Sequence, residues 1–153
     1  MTYQENYQKW VDFADLPDYL RQDLESMDEK TKEDAFYTNL EFGTAGMRGL
    51  IGAGTNRINI YVVRQATEGL ARLIESKGGN EKARGVAIAY DSRHFSPEFA
   101  FESAAVLAKH GIKSYVFESL RPTPELSFAV RHLNCFAGIM ITASHNPAPF
   151  NGY

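Results

Sequence analysis

Cysteine is nearly absent from this sequence: Cys135 is the single one among 153 residues. One thiol makes neither an internal disulfide nor a zinc site. Its place just before an apolar run reads as an inert core thiol. Long apolar runs are missing as well. The longest, FAGIMITA (136–143), is far too short to cross a bilayer. The N-terminus, MTYQENYQKW, has no basic stretch leading into an apolar one, which argues against a secretory signal. No run of lysine or arginine occurs and the net charge is −3, so neither nucleic acid nor a membrane surface finds an electrostatic footprint. There is no internal repeat and no low-complexity segment. What remains is ordinary globular material, 44% hydrophobic and 23% charged, long enough for one domain with a real core. The expected setting is the cytoplasm.

Residues 1–39 read as a helical leader. Tyr3, Tyr7 and Trp10 share one face at helical spacing, and Leu20, Leu24 and Met27 another, as packing anchors do. From Leu40 the texture changes. LEFGTAGMRGLIGAGTNRIN holds glycines at 43, 46, 49, 52 and 54 with little helical period, which indicates strand and loop. A helix starts near Ile60 with Asn59 as cap, buries Val63, Ala66, Leu70, Leu73 and Ile74, and closes at Gly78. Strands and helices then alternate. GVAIAY (85–90), KSYVFE (113–118) and FAGIMIT (136–142) read as strands. Ser96-Pro97 and Thr123-Pro124 read as a cap with proline in the first helical turn. In the helix after Ser96, Phe99, Ala100, Ser103, Val106 and Leu107 fall on one face. This alternation predicts an α/β layer with a largely parallel sheet.

In open α/β sheets, ligands gather beyond the carboxyl ends of the strands. Those ends carry Asp91-Ser92-Arg93, Arg121-Pro122-Thr123-Pro124 and Ala143-Ser144-His145-Asn146-Pro147. With Arg48 in the glycine-rich loop, arginine forks and bare N–H groups suit phosphate oxygens. Each piece, taken singly, also fits a plain structural role. Asp91 and Arg93 make a surface pair, Arg121 a solvated loop residue, Asn146-Pro147 a helix start and Ser144 a turn. His94, His110 and His132 gather into no metal site. A Ser144–His145 hydrolase dyad is disfavoured, because neighbours at a strand end point opposite ways and no G-x-S-x-G elbow is present.

FGTAGMRG (42–49), AYDSR (89–93), RPTPELSFAV (121–130) and TASHNPAPFNGY (142–153) occur in that order. The set resembles the first domain of the α-D-phosphohexomutases, the phosphoglucomutase and phosphomannomutase family, and its bacterial phosphoglucomutase branch in particular, which implies a three-layer α/β/α domain over 40–153 with a mixed, largely parallel sheet. The resemblance implies that Ser144 is the phosphorylated serine, passing its phosphoryl group to a hexose phosphate and recovering another from the bound bisphosphate. It implies Mg²⁺ touching the Ser144 phosphate, and glucose 1,6-bisphosphate as activator and intermediate. Arg48 and Arg93 match active-site arginines. His145 matches a loop residue suited to proton transfer or hydrogen bonding. Thr44, Gly46, Arg48 and Asn146 match contacts to the phosphosugar.

The departures are equally definite. Relatives continue NGY with an active-site lysine and carry an Asp-Gly-Asp-Gly-Asp-Arg segment whose aspartates hold magnesium. Neither is in this sequence, and APF stands where a more charged triplet is common. The expectation is an N-terminal piece of a longer enzyme that interconverts glucose 1-phosphate and glucose 6-phosphate. Alone it would be inactive and prone to self-association where the missing C-terminal domains would cover it. Phosphomannomutase, phosphopentomutase and a non-catalytic phosphate-binding or partner-binding module are the alternatives.

Overall fold

A computed structural model describes residues 1–153. The leader forms three helices, α1 (Tyr3–Val11), α2 (Asp18–Ser26) and α3 (Glu29–Phe36). Thr2 opens α1 with a reciprocal cap: its hydroxyl accepts from the Glu5 N–H, and the Glu5 carboxylate accepts from the Thr2 N–H. Asp28 caps α3 by accepting from Thr31 N–H at 2.8 Å. The aromatic stripe of α1 meets Phe36: Tyr7 and Trp10 stand edge-on to its ring at 5.5 and 5.8 Å. Phe36, Leu20 and Leu24 belong to the same buried cluster as Val86, Ile88 and Ile139 of the sheet. The core thus runs without a break across residues 39 and 40.

After the short strand β1 (Arg48–Leu50) comes α4 (Ile60–Lys77). Asn59 caps α4 as expected, its Oδ1 accepting from Tyr61 and Val62 N–H at 3.1 Å. Its Nδ2 also donates to Gly52 and Gly54 carbonyls at 2.9 Å, which ties the glycine-rich loop to the helix. Gly78, at φ 67°, closes α4 in the left-handed region. The buried face differs from the expected one. Thr67 and Ala71 are fully buried, while Leu73 is 49% exposed. The apolar stripe of α4 is wider than one interface, and its Leu70–Leu73 side borders an open groove.

The remaining elements are α5 (Glu81–Arg84), β2 (Val86–Tyr90), α6 (Ser96–Lys109), β3 (Ser114–Val116), α7 (Thr123–His132), β4 (Ala137–Ile141) and β5 (Phe150–Gly152). Strands β3-β2-β4 form a parallel sheet in that order. Alternate residues of β2 enter different layers. Val86, Ile88 and Tyr90 join Phe99, Ala100 and Val63, whereas Ala87 and Ala89 join Leu126, Ala129 and Cys135 under α7. That alternation makes the three layers, and it buries every residue of β2. Burial also pushes the Cys135 thiol up, as befits a core residue.

Three local expectations change. Ser96 and Thr123 are the first residues of their helices rather than side-chain caps. Ser96 spends its hydroxyl on Asp91 instead, and the chain enters α6 through Phe95 at φ 64°. No helix follows Asn146-Pro147. The chain turns and forms β5, antiparallel to β1, with Arg48 opposite Gly152 and Leu50 opposite Phe150. The antiparallel pair is separate from the parallel sheet and joined to it by Thr142 N–H donating to Gly152 O at 3.1 Å.

A charged clasp links α4 and the end of α6. His110 lies between Glu75, 3.0 Å from Nδ1, and Glu68, 2.7 Å from Nε2, while Lys82 and Arg72 flank the carboxylates. Hydrogen bonding to Glu75, then to Glu68, raises the His110 pKa from its ordinary 6.5, and bonding to His110 lowers both carboxylates from 4.5. A raised histidine stabilises the fold below its unfolded value and stops doing so as the pH climbs through the folded one; the lowered carboxylates lose their contribution in acid. The clasp is strongest between those two ordinary values. Thermal midpoints should fall as pH rises from about 6 to 8, and His110→Gln should flatten that fall. Identical profiles for the two proteins would rule the clasp out.

Candidate active site

The segment 142–149 leaves β4 at the carboxyl edge of the parallel sheet and folds into a loop whose carbonyls converge on one arginine. Arg93 Nη2 donates to Ser144 O at 2.9 Å and Asn146 O at 2.7 Å. Its Nη1 donates to Pro147 O at 2.9 Å and Phe150 O at 3.0 Å. Arg93 Nε is 3.5 Å from Asp91 Oδ2. The guanidinium is therefore committed to the loop's carbonyls, and it straps the loop rather than standing ready for a phosphate. The bland surface pair with Asp91 is set aside as well, since the Arg93 side chain is only 15% exposed.

Asp91 is the other anchor. Oδ1 accepts from Arg93 N–H at 3.0 Å and from the Ser96 hydroxyl at 2.8 Å; Oδ2 accepts from the Thr142 hydroxyl at 2.6 Å. Thr142 Oγ1 in turn accepts from Ser144 N–H at 3.0 Å. Fully buried Asn151 completes the frame, donating from Nδ2 to His94 O and the Ser96 hydroxyl while its Oδ1 accepts from Gly152 N–H. In sequence, Thr142 and Asn151 carry no site role and Ser96 reads only as a helix cap. The only available signal was that NGY and the threonine belong to the same motif as Ser144.

Ser144 is exposed with φ 55°, a left-handed backbone that costs a non-glycine residue about 1 kcal/mol. This breaks the strand alternation, so Ser144 Oγ and His145 Nδ1 come within 3.4 Å instead of pointing apart. No carboxylate orients His145, so the pair lacks the third member of a hydrolase triad. A cleft of about 450 Å³ opens here, lined by Asp91, Ser92, Arg93, His94, Ser144, Asn146 and Ala148.

Arg48 is the arginine left free. One Nη1 contact, 3.2 Å to Asn146 Oδ1, holds its exposed guanidinium beside the loop, and it has no carboxylate partner. Asn146 keeps its Nδ2 without a protein acceptor. Arg121 does not converge. It pairs with Glu125 and Glu118 and bonds Ser119 and Leu120 of its own loop. Thr44 sits exposed at the tip of a tight turn in which Gly43 and Gly46 exchange backbone bonds. The Gly46 N–H donates to Gly43 O at 3.3 Å in that turn. At φ 89° and with a Cβ falling 2.3 Å from Tyr153 O, position 46 admits only glycine, which lets Met47 and Tyr153 exchange backbone bonds at 2.9 Å. The Tyr153 hydroxyl bonds Thr67 Oγ1 at 3.0 Å, and burial pushes its pKa up to about 12. A larger, mostly apolar groove of about 590 Å³, bounded by the glycine-rich loop, α4 and β4, is lined in part by Arg48 and Thr142.

Magnesium does not fit these residues alone. Asp91, the one carboxylate on the cleft, spends both oxygens on protein donors, and no group of three or more His, Cys, Asp or Glu could hold a metal ion.

An exposed serine on a forced turn, past the edge of a three-layer sheet and beside an unpaired arginine, defines a site suited to an anionic group. The comparisons agree with this architecture. Residues 39–153 match the family model described as phosphoglucomutase/phosphomannomutase, alpha/beta/alpha domain I, and the chain belongs to that family. A phosphoglucomutase of Staphylococcus epidermidis is 42% identical over 143 residues, 94% of this chain and 26% of the relative. One of Staphylococcus aureus is 49% identical over 121 residues, 79% of this chain and 21% of the relative. A crystal structure of a putative phosphomannomutase from Thermus thermophilus superposes with a TM-score of 0.66 at 35% identity, over 75% of this chain and 25% of that one. The chain thus spans about a quarter of the length of these relatives. No helix is long and apolar enough to cross a membrane.

Proposed function

We propose that this chain is the phosphoserine-loop domain of a cytoplasmic phosphoglucomutase interconverting glucose 1-phosphate and glucose 6-phosphate. The observation that carries the reading is Ser144, exposed on a left-handed turn with Arg48 beside it and the loop beneath it strapped from Arg93. In the forward step the bond from Ser144 Oγ to phosphorus breaks as a sugar hydroxyl oxygen bonds to that phosphorus, and the hydroxyl's proton ends on Ser144 Oγ. In the return step the other sugar O–P bond of the bound bisphosphate breaks, its phosphorus bonds to Ser144 Oγ, and the serine proton passes to the freed sugar oxygen. Such transfers need alignment and charge neutralisation more than covalent help from the protein. Arg48 offers that charge through a fork, and the Asn146 amide offers a donor. His145, in reach of Ser144 Oγ, has a hydrogen-bonding role in this proposal. Mg²⁺ and glucose 1,6-bisphosphate belong to the proposed longer enzyme, with the metal's carboxylates supplied from outside these residues. Phosphomannomutase is the second reading, favoured by the name of the Thermus thermophilus relative.

A coupled assay for glucose 6-phosphate, run with Mg²⁺ and the bisphosphate, tests the proposal. The 153-residue chain should be inactive, and the longer enzyme that contains it active with glucose 1-phosphate. Peptide mapping should place phosphate on Ser144. Robust turnover by the short chain would overturn the domain reading, and a preference for mannose 1-phosphate in the long one would favour the second reading.

A further inference from the structure

We propose that Thr142 is a positioning residue for Ser144: its hydroxyl, oriented by Asp91, fixes the left-handed backbone that turns the serine into the cleft. The inference deepens the reading of Ser144 as phosphoryl carrier and rests on it.

The direction of every bond in the chain of contacts follows from chemistry. A hydroxyl has one proton. The Asp91 carboxylate can only accept, so the Thr142 proton goes to Oδ2, 2.6 Å away. A backbone N–H can only donate, so the Ser144 amide gives its proton to the Thr142 lone pair at 3.0 Å. Asp91 cannot easily turn, because its other oxygen is held by Arg93 N–H and by the Ser96 hydroxyl. The far end of Arg93 grips the Ser144 carbonyl. Both polar groups of the Ser144 backbone are thus held from one carboxylate, the N–H through Thr142 and the C=O through Arg93. Backbone in a sparsely populated region persists when its surroundings over-determine it, and such positions cluster where geometry serves function. A carrier serine has a narrow geometric tolerance, since displacements of about 1 Å can cost roughly 10²-fold in rate.

A valine at 142 keeps the branched shape and loses only the hydroxyl. Amide exchange on the 153-residue chain reads its effect directly. Thr142→Val should accelerate exchange of the Ser144 N–H roughly tenfold or more, leaving amides of β2 and β4 unchanged. Thr142→Ser, which restores the hydroxyl, should return it to near the starting value. In the longer enzyme Thr142→Val should lower kcat about 10²-fold with little change in KM, and Thr142→Ser should recover most of it. Unchanged Ser144 exchange and kcat in the valine variant would overturn the proposal. So would a serine variant as impaired as the valine one, since packing rather than the hydroxyl would then matter. If the valine variant also loses protection throughout the sheet, Asp91→Asn replaces it, with faster Ser144 exchange expected and unchanged exchange overturning the idea. A longer enzyme without mutase turnover would refute the phosphoryl-carrier reading, and the exchange measurements would still decide the positioning.

Discussion

Ser144→Ala in the longer enzyme should lower mutase turnover roughly 10³-fold or more while leaving the fold intact. The size of the loss follows from covalent transfer. If the phosphoryl group rests on Ser144 Oγ between half-reactions, no partial substitute exists once that oxygen is gone. Ser92 lines the same cleft, so it is the residue to watch for misdirected phosphate. The fold should survive because the Ser144 side chain makes a single contact, the 3.4 Å approach to His145. Its backbone bonds to Thr142 and Arg93 do not depend on the hydroxyl. Ser144→Gly makes the companion variant, since glycine adopts φ 55° without penalty. It should be as inactive as alanine and at least as well folded. The measurements are the coupled glucose 6-phosphate assay, a thermal melt and phosphopeptide mapping. Normal turnover in the alanine variant, with phosphate found elsewhere, would end the phosphoserine reading.

Arg93→Lys should unfold at a lower temperature, by about 5 °C, corresponding to about 2 kcal/mol in a domain of this size. The guanidinium donates to the carbonyls of Ser144, Asn146, Pro147 and Phe150 from one rigid plane. A lysine ammonium has three protons on one atom and cannot span that set. The carbonyls it abandons lose their side-chain donor, so turnover should fall with stability. Arg48→Lys provides the contrast. Arg48 is exposed and makes one side-chain contact, so its lysine variant should melt like the parent and lose turnover through the missing fork. Equal melting temperatures for parent and Arg93→Lys would show that the strap contributes little, and would return Arg93 to the phosphate-binding role that the motif resemblance implied.

Some elements were readable because their signals are local. Helix α4 shows its cap at Asn59 and its stop at Gly78, and both work as expected because capping involves residues two or three apart. The all-apolar VAIAY of β2 reads as a strand buried on both faces, which it is. The buried face of α6 matches its period, with Phe99, Ala100, Ser103, Val106 and Leu107 inside. Other signals were ambiguous at the same range. Ser96 before Pro97 looks like a cap, and Asn146 before Pro147 like a helix start. In the fold the Ser96 hydroxyl is drawn to Asp91, and the segment after Pro147 is drawn into pairing with β1.

The α/β class was legible in the sequence because hydrophobic period is a property of neighbouring residues, and the family and Ser144 as the reactive candidate came from the resemblance of four short motifs. The division of labour between the two arginines was decided only by tertiary structure. Arg48 and Arg93 look alike in sequence, each beside a short polar motif. What separates them is the path of a loop more than fifty residues from Arg93, whose four carbonyls converge on one guanidinium and leave the other facing solvent. The same holds for Gly46, whose missing side chain lets Tyr153 pass within bonding distance of Met47. Contacts of that range depend on where β5 returns, and no local pattern in a three-residue strand encodes its partner.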